Sequence, residues 1–359
     1  MSVVERLDTG FQDRILPGVS RTFALTIPQL PEALRPAIGN AYLLCRLADT
    51  IEDASRLDTA TKNECFRLLV AALERPGRGA AFEEALAGSI TSVSAAEHEL
   101  VAEADRVFAL FHALPSEQQT PLRRCLTIMA NGMAHFETLK SPQGLPDAAA
   151  FRDYCYCVAG VVGEMLTDLF AQQHSMIARA QPHMRRRAVA FAQGLQMTNI
   201  LKDVWEDRAH GVCWLPRDVF ARHGCSLRPG APWHEAPEFH AGIRELVGAA
   251  HGHLREALAY TQGIPAQQRG IRRFCAWAIG MAVYTLHNID ARPDFTSAAQ
   301  VKISRARLRT VIAGCNVAVL NDRLLAGAFN WAARGLPSPD SRHPGLLVTD
   351  EDTPWMHTP

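Results

Sequence analysis

The sequence lacks an excess of charge of either sign, and it lacks long apolar runs. Lys plus Arg and Asp plus Glu each number 37 in 359 residues, so the formal net charge is zero. A balanced chain has no overall attraction to nucleic acid or to an anionic membrane surface, so we expect no nucleic-acid partner. The first ten residues have no apolar signal core, and apolar stretches such as 275–286 are shorter than the roughly twenty residues that span a bilayer. We therefore expect no transmembrane segment.

Paired cysteines and glycine-rich fingerprints are also missing. The nine cysteines are odd in number and scattered, which predicts free thiols in a reducing compartment rather than a disulfide framework. Cys155 and Cys157 form a C-x-C, but no second pair at zinc spacing accompanies them, so we interpret them as core residues. No glycine-rich dinucleotide fingerprint is present.

Helical periodicity fills most of the chain, and no run of alternating residues predicts a strand. Nine helices are expected, over residues 34–56, 60–74, 80–113, 117–139, 147–173, 181–209, 236–262, 267–290 and 303–333. No linker divides them, so we predict one all-α domain over 1–335. Residues 336–359 contain five prolines and few core-type side chains, which predicts a loosely ordered tail without a role in the core.

One acidic pattern occurs twice, first as Asp49-Thr50-Ile51-Glu52-Asp53 and again as Asp203-Val204-Trp205-Glu206-Asp207. Two aspartates four residues apart lie on one helix face, about one turn from each other. Such carboxylates repel each other unless a cation joins them. A few oxygen ligands with room for water suit Mg²⁺ held jointly with phosphate groups. We interpret the four aspartates as metal ligands.

The surroundings of each copy support a buried site over a solvated acidic turn, which is the ordinary alternative for a charged cluster. Ile38, Tyr42 and Cys45 form an apolar stripe that runs directly into Asp49. Acidic residues that continue a buried stripe are costly unless they are paired or bind metal. Before the second copy, a polar stripe lies on an otherwise apolar helix, which suggests a wet cavity; its members are Gln196, Asn199, Asp203 and Asp207.

Other segments allow two interpretations each. Ser20-Arg21-Thr22-Phe23 offers hydroxyls and a guanidinium to phosphate oxygens, but we favour a helix start, because Ser and Thr commonly cap helices. Arg46 and Lys202 are either salt-bridge partners of the neighbouring aspartates or phosphate clamps.

Two further segments are candidate walls for an elongated apolar ligand. The first is the segment that begins at Tyr154. Its Gly160 and Gly163 indicate that something passes close to the backbone, either a packed helix or that ligand. Residues 272–281 are the second candidate, unless their aromatic side chains belong only to the core.

At these residues the chain resembles the squalene/phytoene synthase family of head-to-head prenyl transferases. The matching stretches are SRTFALTIPQLPEALRPAIGNAYLLCRLADTIED, YCYCVAGVVGEMLTDLF and QMTNILKDVWED, and weaker similarity continues through FCAWAIGMAVYTL. The resemblance implies the isoprenoid synthase fold, a single large helical domain with a central active-site cavity.

The resemblance also implies roles for individual residues. The metal ligands would be the four aspartates, which would also take part in catalysis. Tyr42 and Tyr154 match active-site tyrosines, and Tyr154 is our candidate for proton transfer. Diphosphate contacts are implied for Ser20, Arg21, Arg46 and Lys202, polar contacts beside the second metal site for Gln196 and Asn199, and the prenyl-chain channel for Phe23, Val158, Val162, Leu166 and Phe274.

The chain departs from the family pattern at two positions. Val212 replaces an arginine that usually follows the second motif, so Arg208 or Arg217 is expected to supply that phosphate contact. Ala278 replaces a proline found in the members that make squalene, which puts the reductive product in doubt. In contrast, the chain length and the Trp214-Leu215-Pro216 run resemble the squalene-making members. The eukaryotic members carry a C-terminal membrane anchor that is not found here, which favours a bacterial type.

The implied function is Mg²⁺-dependent condensation of two farnesyl diphosphates to presqualene diphosphate, followed by NADPH-dependent conversion to squalene. The first alternative is a non-reducing member that makes presqualene diphosphate, dehydrosqualene or phytoene. The second, from a different class, is a non-catalytic helical protein that binds prenyl lipids. The expected location is the cytoplasm, with or without peripheral contact with the inner membrane for product release.

Overall fold

The computed structural model describes residues 9–86, 94–340 and 344–347, apart from the side chains of Arg21 and Pro344. The elements in these residues are helices, and one isolated bridge joins Leu145 to Pro216. The all-α prediction is therefore confirmed. The chain forms two compact units. One contains the residues up to Thr138 together with Asp168–Gln173, and the other contains Leu139–Thr167 and the residues from His174 onward.

The first unit contains eight helices in its described residues. They are α1 (Gly10–Val19), α2 (Arg21–Thr26), α3 (Arg35–Asp53), α4 (Thr59–Glu74), α5 (Gly79–Leu86), α6 (Ala95–Ala102), α7 (Ala104–Ala113) and α8 (Ser116–Leu139), which passes into the second unit at its last residue. Helix α1 was not predicted, whereas α2 begins at the helix start that the sequence predicts at Ser20. The helix predicted over 80–113 is three helices, α5 to α7, and residues 87–93 lie outside the described part.

A buried ion pair fixes the end of α3 that carries the first acidic motif. The Lys62 ammonium donates to the backbone carbonyl of Glu52 (2.6 Å) and to Glu137 Oε1 (3.0 Å). The Lys62 and Glu137 side chains are 3% and 9% exposed. A cation at a helix C-terminus donates to a carbonyl that has no partner within the helix, and it interacts favourably with the helix dipole. Helices α3, α4 and α8 are thereby joined next to Asp53.

The second unit begins with α9 (Ala148–Cys155), a π-helical turn (Tyr156–Gly160) and α10 (Val161–Gln173), whose last six residues belong to the first unit. It continues with α11 (Ser175–Ala209), α12 (Arg217–Arg222), α13 (Pro237–Gly263), α14 (Arg269–Ala291), α15 (Ala298–Val301), α16 (Arg305–Ala318) and α17 (Asp322–Ala332). Helices α11 and α13 pack closely, since a side chain at Gly194 would meet His253 Cβ at 2.8 Å.

The described part of the C-terminal tail packs on the second unit, which differs from the prediction of a tail without a core role. Leu336 and Leu346 are 7% and 2% exposed. His251 Nδ1 lies 2.8 Å from the Pro337 carbonyl, and His253 Nε2 lies 2.9 Å from the Leu346 carbonyl. Burial lowers the pKa of His253 to about 4, so the ring is neutral and donates to that carbonyl. Side chains of α13 therefore bond two backbone carbonyls of this segment.

One helical run, Ala148–Gln173, is long and apolar enough to cross a membrane by length and composition alone. In the structure 72% of its most apolar window is buried within the protein. Core helices of water-soluble proteins show the same combination.

A first prediction tests the docking of the tail. Leu346→Ala should lower the free energy of unfolding by about 2 kcal/mol or more, because it removes a buried side chain and leaves a cavity. Chemical denaturation monitored by circular dichroism measures the change. Ser338→Ala is the control, because this exposed side chain should contribute less than about 0.5 kcal/mol. Equal stability of Leu346→Ala and wild type would show that the segment does not contribute to the core.

Candidate active site

The predicted residues of α3 lie along one helix face. Tyr42, Arg46, Asp49 and Asp53 follow one another at spacings of four, three and four residues, so their side chains project in similar directions. Asp49 is half-buried and Asp53 is exposed, whereas the intervening Ile51 is fully buried. Helix packing on the opposite face therefore presents both carboxylates on the accessible face.

Arg46 connects this face to α6. Its guanidinium lies 3.4 Å from Asp49 Oδ2 and makes an ion pair with Glu97. The buried Arg46 Nε has no hydrogen-bond acceptor among the described residues. Glu97 also accepts from Ser94 N, and Ser94 Oγ accepts from Glu97 N, which forms a capping box at the start of α6. Sequence reasoning missed Glu97, although the S-x-x-E pattern is the known signal of this cap.

The environment of Asp49 favours a cation. Burial, reinforced by the charge of Asp53 and opposed by Arg46, raises the pKa of Asp49 to about 6. The side chain nevertheless keeps 41% exposure, so solvent screens part of this effect. A carboxylate that is partly desolvated beside a second carboxylate gains stability when a metal ion is shared between them.

Ser20, Phe23 and Tyr42 form a cluster beside this face. Ser20 Oγ accepts a hydrogen bond from Phe23 N (3.0 Å) and caps α2, which confirms the interpretation of this segment as a helix start. The Phe23 and Tyr42 rings are 4.8 Å apart. Tyr42 donates to the Val19 carbonyl (3.1 Å), and burial raises its pKa. The side chain of Arg21 lies outside the described residues.

The second acidic motif lies at the end of α11. Lys202 Nζ bonds both carboxylate oxygens of Asp203, at 2.7 and 2.5 Å. Lys202 is therefore a salt-bridge partner of Asp203, which is one of the two interpretations of this residue. Asn199 is exposed and Gln196 is half-buried. Three neighbours on the opposite face, Ile200, Leu201 and Val204, are buried. The predicted polar stripe is therefore accessible on one side of a helix whose other side is core.

Glu206, which precedes the last aspartate, has a structural role. Its Oε1 accepts from Ala298 N (2.8 Å) at the start of α15. The chain then turns at Gly211, whose φ of +78° favours glycine, and Val212 N donates to the Asp207 carbonyl. Glu206 is thus engaged in a contact with the start of α15.

Arg208, one of the two residues expected to replace the arginine missing at Val212, lies against an aromatic ring. Its guanidinium lies 3.7 Å from the centre of the Trp233 ring and donates to the Ala231 carbonyl (2.7 Å). Burial lowers its pKa. These contacts hold Arg208 against the aromatic cluster around Trp233, whereas Arg217 is exposed. The phosphate contact of either arginine stays a prediction.

Tyr154 is buried beneath the loop that follows α11. Its ring stacks on Trp214 at 4.0 Å between centroids and an interplanar angle of 10°. Lys140 Nζ lies 5.8 Å from the Trp214 ring. The Trp-Leu-Pro run of this loop is visible in the sequence, but the stacking of Trp214 on Tyr154 is a long-range contact that no local pattern reveals.

The predicted channel residues of the segment after Tyr154 share a face. Val158, Val162 and Leu166 are half-buried, although most of their neighbours are fully buried. The segment includes a π-helical turn, a feature that occurs often at functional sites. Phe274 on α14 is 6% exposed. A side chain at Gly163 would meet the Ala188 carbonyl at 2.3 Å, so a packed helix, α11, explains this glycine.

Both aspartate pairs fit Mg²⁺ by the chemistry of their donors. In the part of the chain that the structure describes, no three His, Cys, Asp or Glu side chains converge to hold a metal by themselves. Mg²⁺ keeps several waters and commonly takes one or two carboxylates plus substrate phosphates. Two oxygen donors on an accessible helix face, each pair next to a cationic side chain, suit that mode of binding.

Comparisons with known proteins identify relatives of the chain. A family model described as squalene/phytoene synthase matches residues 16–307. Squalene synthase ERG9 of Candida albicans is 28% identical over 288 residues, 78% of this chain and 61% of that protein. Squalene synthase BSS of Botryococcus braunii is 30% identical over 291 residues, 78% of this chain and 58% of that protein. The chain thus spans about three fifths of the length of these relatives.

The fold has solved counterparts. The structure of TcSQS with the ligand BPH1237 aligns with a TM-score of 0.66 and 22% sequence identity, covering 92% of this chain and 98% of that one. Since the family match extends from before the first acidic motif to beyond the second, and the all-α fold agrees with it, the chain belongs to the squalene/phytoene synthase family.

Proposed function

We propose that this protein joins two farnesyl diphosphates head to head in an Mg²⁺-dependent reaction. The observation that carries the proposal is the duplicated aspartate pair, each copy on an accessible helix face and next to a cationic side chain, in a chain of this family. Mg²⁺ bound there would neutralise the leaving diphosphate so that the allylic C–O bond can ionise.

Arg46 is proposed as a diphosphate contact of the first motif. Glu97 holds its guanidinium in place, and its Nε has no acceptor among the described residues. A phosphate oxygen would satisfy that donor. Lys202 is proposed for the same task beside the second motif, where it bonds Asp203.

Tyr154, assisted by the released diphosphate, is proposed to transfer the proton that is lost when the cyclopropane of presqualene diphosphate closes: the phenol oxygen takes this proton as its own proton passes to the diphosphate. Its position beneath Trp214 excludes bulk solvent from the ring. The half-buried face of Val158, Val162 and Leu166 is proposed to hold a prenyl chain, because an apolar wall keeps water from quenching carbocations.

We propose further that NADPH supplies a hydride which converts the intermediate to squalene. This step rests on the family resemblance, and no residue is assigned to the cofactor. The alternative is a non-reducing member of the same family, which the substitution of Ala278 for the usual proline favours.

A second prediction separates these hypotheses. The purified chain is incubated with farnesyl diphosphate in the presence of Mg²⁺ or EDTA, with and without NADPH, and products are identified by mass. Without NADPH, presqualene diphosphate and pyrophosphate should accumulate; with NADPH, squalene should form. A product that NADPH does not change would identify a non-reducing enzyme. Absence of pyrophosphate release in all mixtures would contradict both enzyme hypotheses and leave the prenyl-lipid binding protein.

A third prediction tests the aspartates in the same assay. Asp49→Asn and Asp207→Asn should each lower turnover by roughly 100-fold or more, because each removes a metal ligand. Asp58→Asn is the matched control. Asp58 is an exposed aspartate that caps α4 through Thr61 N, and asparagine caps equally well. Full activity of both active-site variants at saturating Mg²⁺ would overturn the metal assignment.

A fourth prediction follows from the raised pKa of Asp49. A folded-state pKa of about 6, above the ordinary value near 3.8, means that ionised Asp49 destabilises the metal-free protein above pH 6. In EDTA at pH 7.5, Asp49→Asn should therefore melt higher than wild type, by on the order of 2 °C. The gain should shrink as the pH falls from 6 towards 4, where wild-type Asp49 becomes protonated. A lower melting temperature for Asp49→Asn at pH 7.5 would contradict this account.

A further inference from the structure

We propose that helices α16 and α17, together with a basic cleft beside them, form a surface that docks on a bilayer containing anionic phospholipid. The surface is separate from the residues assigned to the reaction, so the proposal stands or fails independently of the proposed function. We call it the docking face; it comprises residues 302–336 and the cleft residues Tyr284, His287 and Arg292.

Exposed apolar side chains concentrate on this face. Six large apolar residues are exposed among the described residues, and four of them lie in or between α16 and α17. Val317, Leu320, Leu324 and Trp331 are 61%, 44%, 52% and 70% exposed. Single exposed apolar residues are ordinary, but a group of this kind indicates an interaction surface.

The sequence of each helix arranges these residues as an outward stripe. On α16 the exposed face carries Ala306, Thr310, Ala313 and Val317, at spacings of four, three and four. On α17 it carries Leu324, Ala328 and Trp331, at spacings of four and three. Exposed arginines flank both stripes, namely Arg305, Arg309, Arg323 and Arg334. Small and apolar side chains bordered by arginine, with a tryptophan among them, are typical of helices that lie in a membrane interface.

The charge of the docking face differs sharply from that of the whole chain. Residues 302–336 contain six basic residues, which are Lys302, Arg305, Arg307, Arg309, Arg323 and Arg334, and one acidic residue, Asp322. Asp322 is already paired with the buried Arg272 at 2.7 Å. A local charge of about +5 thus remains in a chain whose net charge is zero, and it complements an anionic surface.

The cleft beside the helices provides a place for a phosphate headgroup. It encloses about 560 Å³ and is lined by Arg292, Lys302, Arg307 and Arg334, with Trp331 also contributing. None of its described lining residues is acidic. Arg307 lies 4.9 Å from the centre of the Tyr284 ring, and none of the four cations forms an ion pair with a described residue. Guanidinium groups without carboxylate partners suit phosphate oxygens.

The docking face is held firmly by the rest of the second unit. Arg272 on α14 donates to the carbonyls of Ile264 (2.7 Å) and Val319 (3.3 Å), and it pairs with Asp322 at the start of α17. Trp277 Nε1 donates to Asn316 Oδ1 (3.1 Å). Ala276, Ala318, Val319 and Leu325 pack into one apolar cluster beneath the two helices. The exposed stripes therefore belong to helices whose inner faces are already packed.

Vesicle binding of the full chain tests the proposal. The protein is sedimented with vesicles of phosphatidylcholine alone and with vesicles that contain phosphatidylglycerol. Binding should require the anionic lipid and weaken with added salt. Arg307→Gln/Arg334→Gln should weaken it roughly 30-fold, at about fivefold for each charge near the surface. Leu324→Ser/Trp331→Ser should weaken it at least tenfold, since the apolar contact is lost.

Matched controls make the test specific. Met176→Ser removes an exposed apolar side chain (58% exposed) from another helix, and Arg185→Gln/Arg186→Gln removes two charges from α11; both should bind like wild type. Circular dichroism and melting temperature check that each variant folds. Equal binding of wild type and docking-face variants, or no binding to anionic vesicles, would overturn the proposal. So would self-association, measured by sedimentation velocity without lipid, that Leu324→Ser/Trp331→Ser abolishes, because the face would then be a contact between copies of the chain.

Discussion

The repulsion between two carboxylates one helical turn apart is the constraint on which the candidate site depends. On α3 it is balanced by Arg46, which Glu97 of α6 holds, and the end of the helix is fixed by the buried pair of Lys62 and Glu137. Three other helices, α4, α6 and α8, thus contribute charge that keeps the candidate metal-binding face of α3 in place. Removing one partner of a buried pair is strongly destabilising. The stability of this face therefore depends on Lys62 and Glu137 as well as on the groups around the aspartates.

The two acidic motifs solve this problem differently. Arg46 stands three residues before Asp49 and is anchored by a second carboxylate, so it can keep its position when a metal or phosphate binds. Lys202 is adjacent to Asp203 and occupies both of its carboxylate oxygens. Any metal bound to Asp203 must therefore share those oxygens with the ammonium group or displace it. A flexible lysine suits that exchange better than a rigid guanidinium.

Local sequence patterns were sufficient for part of this description. The main helices, the accessible polar stripe before Asp203 and the cap at Ser20 follow from periodicity and side-chain chemistry. In contrast, the salt bridge from Glu97, the stacking of Trp214 on Tyr154, the engagement of Arg208 by Trp233 and the packing of the tail all join residues distant in the chain. Periodicity carries no information about such pairs. In the proline-rich tail, for example, two backbone carbonyls are bonded by histidines more than eighty residues away.

Whole-chain composition conceals a property that would matter for the proposed reaction of prenyl chains. A net charge of zero excludes a general attraction to anionic surfaces, yet residues 302–336 carry six basic side chains and one acidic one. Long prenyl chains and hydrocarbon products partition out of water into bilayers. An enzyme that released such a product into water would leave it to find a membrane by diffusion. A neutral protein with one apolar, arginine-bordered face can meet the bilayer in a single orientation while the rest of its surface stays in water. Concentrating the basic residues on one face therefore fixes the orientation of the bound protein as well as strengthening its binding.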